Sequence, residues 1–275
     1  TAATRSADHT EHTQGRAPDT ENRRSKSVRR LENRVALITA GGSGMGRASA
    51  VRFASEGAHV VVSDIDENAA KAVVTEIEEA GGAATAIVCD VGDNDQIRSM
   101  IDQVARDFKV LHVLFNHAGI PGAAGLDIES ADFEKLINVN QRSAFYATQF
   151  ALPLIQKAEG KGSILFTSSV SGVVGSPFSP LYSMSKGGIV LFMKSLAVRL
   201  GPEGIRSNAI LPAMIETPML SQFFGRENGA DIEDLKATYK ASVPMGRAAA
   251  PEEIASAAAF LASDDASWVT GVALP

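Results

Sequence analysis

The chain has 275 residues, 45% of them hydrophobic, which is enough apolar material for one sizeable core. Its formal net charge of −6 argues against nucleic acid or an anionic membrane as a partner, because both select basic surfaces. A single cysteine, Cys89, excludes an internal disulfide and a cysteine-rich metal cluster, and fits a reducing compartment. No apolar run approaches the roughly 18 to 20 residues that span a bilayer, and no secretory pattern opens the chain, so a cytoplasmic location is expected.

Residues 1–30 mix seven basic with four acidic side chains and hold almost no large apolar ones. Nothing there offsets the entropy of ordering, and a disordered tail is expected. Its arginines could serve as a nucleic-acid or targeting arm, but Asp8, Glu11, Asp19 and Glu21 spoil the acid-poor profile of a transit peptide. His9 and His12 form an isolated pair without further ligands nearby, so no metal site is expected.

From Arg34 the pattern changes to short β-branched runs alternating with segments of helical period. Strands are predicted at 34–39 (RVALIT), 59–64 (HVVVSD), 84–90 (ATAIVCD), 111–116 (LHVLFN), 163–168 (SILFTS) and 205–211 (IRSNAIL). These runs are nearly continuous in apolar character, as parallel strands covered on both faces require. Helices are predicted between them, in GRASAVRFASEG, ENAAKAVVTEIEEAGG and NDQIRSMIDQVARDF, and the first two end in glycine, a usual helix stop. Strand and helix alternating at this spacing imply an α/β fold with a doubly wound parallel sheet of the Rossmann type.

The first strand runs into TAGGSGMG, with Gly41, Gly44 and Gly46 around Ser43 and Met45 at the mouth of a helix. Unpaired N–H groups there suit a pyrophosphate, and absent side chains allow its close approach. The spacing differs from G-x-G-x-x-G, and tight strand-to-helix turns need glycine in any case. Position in the first βαβ unit gives the motif its weight. Asp64 ends the second strand 18 residues beyond Gly46, near the ~20 expected of an acid that binds an adenosine ribose. A carboxylate repels a 2′-phosphate, and neither Ser43 nor Ile65 supplies a cation, so NAD is favoured over NADP. The alternative is that Asp64 caps the next helix, a role Asp66 could equally fill.

With TAGGSGMG, CDV, NHAG and YSMSK in this order, residues 34–275 resemble the compact, single-domain branch of the short-chain dehydrogenase/reductase family. The resemblance implies one domain over residues 31–275 with seven strands in the order 3-2-1-4-5-6-7. It implies that Asp90 and Val91 sit by the adenine, and that Asn116, Ala118 and Gly119 line the cofactor after the fourth strand. Two residues depart from the family pattern. Ala40 stands at its first loop glycine, so the turn must accommodate a methyl, with Gly41 expected to take the unusual backbone angles. His117 replaces a frequent asparagine and is assigned a structural or supporting role.

Tyr182 and Lys186 of YSMSK are i and i+4, so on a helix they project from one face. A phenol of pKa near 10 is a poor base at neutral pH, but a neighbouring ammonium and an oxidised nicotinamide could lower it by ~1 to 3 pH units. Tyr-x-x-x-Lys is a chance-level pattern by itself and also describes a solvated pair. The other tyrosines lack it: Phe150 follows Tyr146 at +4 and Val243 follows Tyr239. By the resemblance, Ser169 orients the substrate oxygen, with Ser168 as its rival, and Asn140 orders a relay water, with Asn138 as the decoy. In NAILPAMIETPM the resemblance places Pro212, Ile215 and Thr217 at the nicotinamide amide.

These residues imply an NAD-dependent alcohol dehydrogenase or ketone reductase acting on a small secondary alcohol. The competing reading is a catalytically silent dinucleotide-binding scaffold or redox sensor. Segment 214–245 is read as a substrate lid. Within it, Phe223 and Phe224 either line an apolar pocket or pin the lid, and Arg226 either meets a substrate acid or is solvated. A neutral alicyclic, sugar-like or steroid-like alcohol is the substrate class expected. The resemblance further implies a homo-oligomer, tetramer or dimer, built through helices near 133–157 and 182–200, whose apolar content also fits plain core packing. It also implies residues beyond WVTGVALP, so the C-terminal end is expected to be truncated.

Overall fold

The computed structural model describes residues 29–225 and 232–275, together with Thr1. The expectations for residues 2–28 and for Arg226 lie outside the described residues. Packing begins at the end of the expected tail. Arg29 pairs with Glu32, Arg30 pairs with the buried carboxylate of Glu56, and Leu31 is fully enclosed.

In chain order the elements are β1 (Val35–Thr39), α1 (Gly44–Ser55), β2 (His59–Asp64), α2 (Glu67–Glu79), β3 (Ala83–Val88), α3 (Asn94–Phe108) and β4 (Val113–Asn116). There follow α4 (Ser130–Ile137), a π-turn (Asn138–Arg142), α5 (Ser143–Gln156), β5 (Ser163–Thr167), α6 (Ser171–Val174) and α7 (Pro180–Leu200). The chain continues through β6 (Arg206–Ile210), α8 (Pro218–Phe224), α9 (Ile232–Ser242), α10 (Pro251–Ala262) and β7 (Ala273–Leu274). All seven strands are parallel, in the order β3-β2-β1-β4-β5-β6-β7.

The apolar runs are continuous because both sheet faces are covered, and alternate residues of each strand feed opposite cores. Leu37, Val61, Leu114, Ile164 and Phe166 join the core under α3, α5 and α7. Ala36, Ile38, Val60, Val62, Phe115 and Leu165 join the one under α1, α2 and α10. Edge strand β3 is the exception, with Ala83 and Val88 exposed, and it ends before Cys89 and Asp90. Cys89 is buried just past that strand end, where burial pushes its thiol up to about 12. As predicted, α1 and α2 are followed by glycines in left-handed conformation, Gly57 (φ +99°) and Gly81 (φ +80°).

The order of strands places β2 on one side of β1 and β4 on the other. Connections leave these two edges in opposite directions, so a crevice opens above the carboxyl ends of β1 and β4. Among the described residues, the glycine turn, Asp64 and the residues after β4 lie at the strand ends along that crest, and Tyr182 and Lys186 lie on α7.

Candidate active site

The turn after β1 is tighter than the sequence suggested. Ala40 itself adopts the left-handed backbone (φ +53°), while Gly41 does not. This corrects the expectation that Gly41 would absorb the strain. An L-residue in that region costs roughly 1 kcal/mol. The turn needs it, because the Ala40 carbonyl is thereby laid on Gly46, where a Cβ would approach that oxygen to 2.0 Å. Glycine at 46 is thus a packing requirement as well as a feature of a ligand site. Gly44 (φ +50°) sits against Thr217, whose Cγ2 would lie 3.2 Å from a Cβ built there. The β6–α8 segment therefore closes over the glycine turn, bringing Thr217 against Gly44.

The N-terminus of α1 is chemically different from those of its neighbours. Asp66 caps α2 through the N–H groups of Asn68 and Ala69, and Asp93 caps α3 through those of Asp95 and Gln96. At α1, Ser43 makes no side-chain cap and the first turn holds no acid. Its unpaired N–H groups and positive dipole end thus face the crevice without an internal anion, a donor set that fits a pyrophosphate.

Asp64 is half-buried at the end of β2 and does not cap α2; Asp66 does. One of its oxygens accepts from the Gly42 N–H at 2.9 Å and the other from the Asp66 N–H at 3.1 Å. The carboxylate is thus oriented by the glycine turn itself, beside a crevice that would take an adenosine ribose. Ile65 is two-thirds exposed next to it. Asp90 holds the turn after β3, accepting from Gly92 N–H at 2.8 Å.

Beyond β4 the chain is held by a residue the sequence reading passed over. Thr39 Oγ1, at the end of β1, accepts from the N–H groups of both His117 and Ala118. Asn116 donates its side-chain amide to Thr148 Oγ1 on α5 at 3.2 Å. His117 Nδ1 lies 2.8 Å from Thr167 Oγ1. A rim of its ring stays accessible, but protein encloses the rest. That enclosure, with the Lys186 charge adding to it, lowers its pKa to about 4, so the imidazole is neutral at physiological pH.

Helix α7 opens with Pro180 at its first position and presents Tyr182 and Lys186 one turn apart, both buried. Lys186 Nζ lies 5.6 Å from the centre of the Tyr182 ring and donates to the Thr167 carbonyl at 2.9 Å. Desolvation alone lowers its pKa from 10.5 to about 8, leaving it mostly charged at pH 7 with two further N–H donors to give. Gly119 is the gap through which this amine reaches the crevice. A Cβ there would come within 3.0 Å of Nζ and 3.5 Å of Asn140 Oδ1.

Asn140 is buried in the π-turn, a widened turn that swings its side chain inward. It accepts from Ile120 N–H at 2.8 Å and donates to Ile120 O at 3.0 Å and to Ser185 Oγ at 3.2 Å. Asn138 stays on the outer side, accepting from Arg142. Of the two serines after β5, Ser168 is buried and donates to the Lys186 backbone carbonyl, fixing α7 to the strand end. Ser169 is the one at the crevice. Its Oγ accepts from Ser171 N–H at 3.2 Å and Ser171 Oγ at 2.9 Å, with only a long 3.5 Å contact to Pro212 O for its own proton. Pro212 also accepts from Val170 N–H. Ile215 pairs with Ala249, which anchors the start of the 214–245 segment.

Thr39, Thr167, Ser171 and Gly42 are the positioning groups that sequence reasoning missed. Thr39 and Thr167 did carry a signal: each is the polar residue at the carboxyl end of a largely apolar strand, the end where ligands bind in such sheets. Among the described residues no group of three or more His, Cys, Asp or Glu is placed to hold a metal, and no helix is long and apolar enough to cross a membrane.

A parallel sheet with an uncapped glycine-rich turn at its switch point, facing a buried lysine beside a tyrosine, defines a nicotinamide-dinucleotide-dependent oxidoreductase. Comparison with known proteins agrees. The family model described as enoyl-(acyl carrier protein) reductase matches residues 39–275. The chain is 37% identical to cyclohexanol dehydrogenase of Acinetobacter sp. (strain SE19) over 88% of its own length and 92% of that protein's. The crystal structure of levodione reductase superposes with a TM-score of 0.85 at 33% identity, covering 90% of this chain and 96% of the other. That of 3-ketoacyl-(acyl-carrier-protein) reductase from Brucella melitensis, complexed with NADH, gives 0.80 at 34% identity over 89% and 96%. The chain belongs to the short-chain dehydrogenase/reductase family.

Proposed function

We propose that the protein catalyses reversible, NAD-linked oxidation of a small secondary alcohol to a ketone. The observation that carries this reading is the ammonium of Lys186, held in the protein interior beside the Tyr182 ring. A silent dinucleotide-binding scaffold would not need it, because burying a charge is costly and is retained where it has chemistry to perform.

A bound nicotinamide ring supplies the hydride acceptor. Tyr182, as phenolate, removes the hydroxyl proton of the alcohol. Lys186 stabilises that phenolate and offers its two remaining N–H donors to ribose hydroxyls. Ser169, with its proton not committed to a short internal bond, donates to the substrate oxygen and steadies the developing charge. Asn140 has its amide tied to Ile120, and the second lone pair of Oδ1 would hold a relay water behind Lys186. Gly41, Ser43, Gly44, Met45 and Gly46 would receive the pyrophosphate. Asp64 and Ile65 would take the adenosine ribose and Asp90 and Val91 the adenine. Asn116, Ala118 and Gly119 would line the cofactor through their backbone, and Pro212, Ile215 and Thr217 would hold the carboxamide. Residues 31–275 act as one catalytic domain, with 214–245 as its lid.

NAD is the cofactor this reading favours, since the Asp64 carboxylate would face a 2′-phosphate while Ile65 and Ser43 offer it no cation. A panel of secondary alcohols, followed by absorbance of the reduced nicotinamide, is expected to give turnover with NAD at least about tenfold more efficient than with NADP. Tight NAD binding without turnover of any alcohol would instead indicate the scaffold. Cyclohexanol belongs in the panel because the Acinetobacter relative is named for it.

The same reading includes a homo-oligomer. Along α5 and α7, Phe145 is half exposed, Leu191 and Val198 more so, and Phe145 packs on Phe192 beside an open groove of about 470 Å³. Apolar surface of this kind on two adjacent long helices is what a subunit contact covers. Mass measurement by light scattering should give a dimer or tetramer, and a monomer at micromolar concentration would remove this part of the proposal. A cytoplasmic location belongs with it, supported by Cys89 as a buried free thiol.

A further inference from the structure

Phe223 and Phe224 are adjacent on α8, so their side chains leave the helix about 100° apart. Phe224 is buried and meets the Tyr239 ring of α9 edge-on at 5.4 Å. Phe223 faces the other way and meets Tyr182 edge-on, with ring centres 5.1 Å apart and planes at 83°. The two readings left open by the sequence therefore divide between the residues: Phe224 pins the segment and Phe223 faces the site. The base of α8 is anchored as well. Met214 O accepts from Ala249 N–H, and Glu216 N–H donates to Ala249 O.

The surroundings of the Tyr182 ring have two characters. One side holds Lys186 and Asn140, which the proposed relay uses, and Ser185, which accepts from Asn140 and donates to the Tyr182 carbonyl. On the other side the ring shares an apolar cluster with Leu136, Leu181, Ile128, Ile137 and Phe223, none of which carries a hydrogen-bonding side chain. Leu136 and Leu181 are buried, so an alcohol whose oxygen is within reach of Tyr182 and Ser169 would meet the partly exposed members of that cluster, Ile128, Ile137 and Phe223, with its carbon skeleton. A polyol would place further hydroxyls against Phe223, and each one left without a partner costs about tenfold or more in affinity. A flexible chain would lose rotamer freedom against a fixed wall, whereas a ring has little to lose.

Resting on the function proposed above, we infer that Phe223 is a specificity-determining residue, forming the wall that selects secondary alcohols whose carbinol carbon belongs to a compact apolar ring. The test compares cyclohexanol, 2-propanol and the polyol meso-erythritol as substrates of the intact enzyme with NAD. Phe223→Ala, Phe223→Leu and Phe223→Trp are measured alongside it. Expected is a preference for cyclohexanol in the parent enzyme. In Phe223→Ala the cyclohexanol to 2-propanol ratio of kcat/KM should fall at least tenfold, chiefly through KM, with Phe223→Leu intermediate and Phe223→Trp altered in ring-size preference. Calorimetric titration of cyclohexanol into the NAD complex of Tyr182→Phe, with and without Phe223→Ala, should show the same loss in dissociation constant, independently of turnover. Thermal melting of each variant identifies any that fail to fold, in which case Phe223→Leu carries the comparison. Equal ratios in the parent and the folded variants, or a preference for erythritol, would overturn the inference while leaving the dehydrogenase reading intact. A parent enzyme that binds cyclohexanol but oxidises none of the three alcohols would instead overturn the dehydrogenase reading.

Discussion

Replacing Tyr182 with phenylalanine is expected to leave NAD binding within about threefold of the parent and to reduce turnover by about 10²- to 10⁴-fold, the usual worth of a positioned general acid/base. The ring contacts to Phe223 and to the apolar cluster survive the change, because only the hydroxyl is lost. A large loss of folding stability would therefore be unexpected, and melting should confirm a native-like variant. In the parent enzyme, kcat/KM for alcohol oxidation should rise with pH to a plateau, governed by an ionisation below the ~10 of a free phenol. The sign follows from the base being the deprotonated form. A phenylalanine variant that keeps near-parental turnover would take Tyr182 out of the chemistry, whatever its position.

Lys186→Met should separate activity from stability in the opposite sense to an ordinary core substitution. Turnover should fall by about 10² or more as the phenolate loses its partner and the ribose its donors. Stability at pH 7 should hold or rise. The lysine pKa is lowered from 10.5 to about 8 by burial, so folding carries a desolvation penalty of roughly 3 kcal/mol while the group is charged in both states. Below pH 8 that penalty is complete. Between pH 8 and 10.5 the unfolded chain binds more protons than the folded one, so this group's contribution makes stability rise with pH, and the penalty is gone above 10.5. Methionine fills a similar volume without a charge, so the variant should lack this rise. The loss of one hydrogen bond to Thr167 O offsets about 1 kcal/mol of the gain. Chemical denaturation of both proteins at pH 7 and pH 10 tests this directly. A variant several kcal/mol less stable at pH 7 would make Lys186 a structural strut first.

These two effects have a common origin. Functional sites hold groups that the fold would be more stable without, and the interior around Lys186 is shaped to keep a charge where packing alone would put carbon. The neighbouring His117 is held neutral by burial and by the Lys186 charge, so it adds no second cation beside Lys186.

The sequence by itself determined the sheet and its direction, because continuous apolar strands separated by helices of amphipathic period leave only a covered parallel sheet. It placed α3 at the residues the structure gives, and put the lysine on the same helical face as the tyrosine, since both follow from local periodicity. It located the glycine turn and the acid at the end of β2 by spacing alone. Local periodicity could not fix which of two neighbouring, chemically equivalent groups would face the crevice, and the choice of Ser169 and of Asn140 came from the family resemblance. Ser168 against Ser169, Asn140 against Asn138, Asp66 against Asp64 as the cap, and Phe223 against Phe224 were each decided by a partner at least 15 residues away or by the turn geometry. The strained angle at Ala40 was decided in the same way, by the need to seat its carbonyl on Gly46. Local sequence sets periodicity and propensity, but the direction of a side chain at an element's end depends on what the rest of the chain packs against it, and that exists only once the layers have closed.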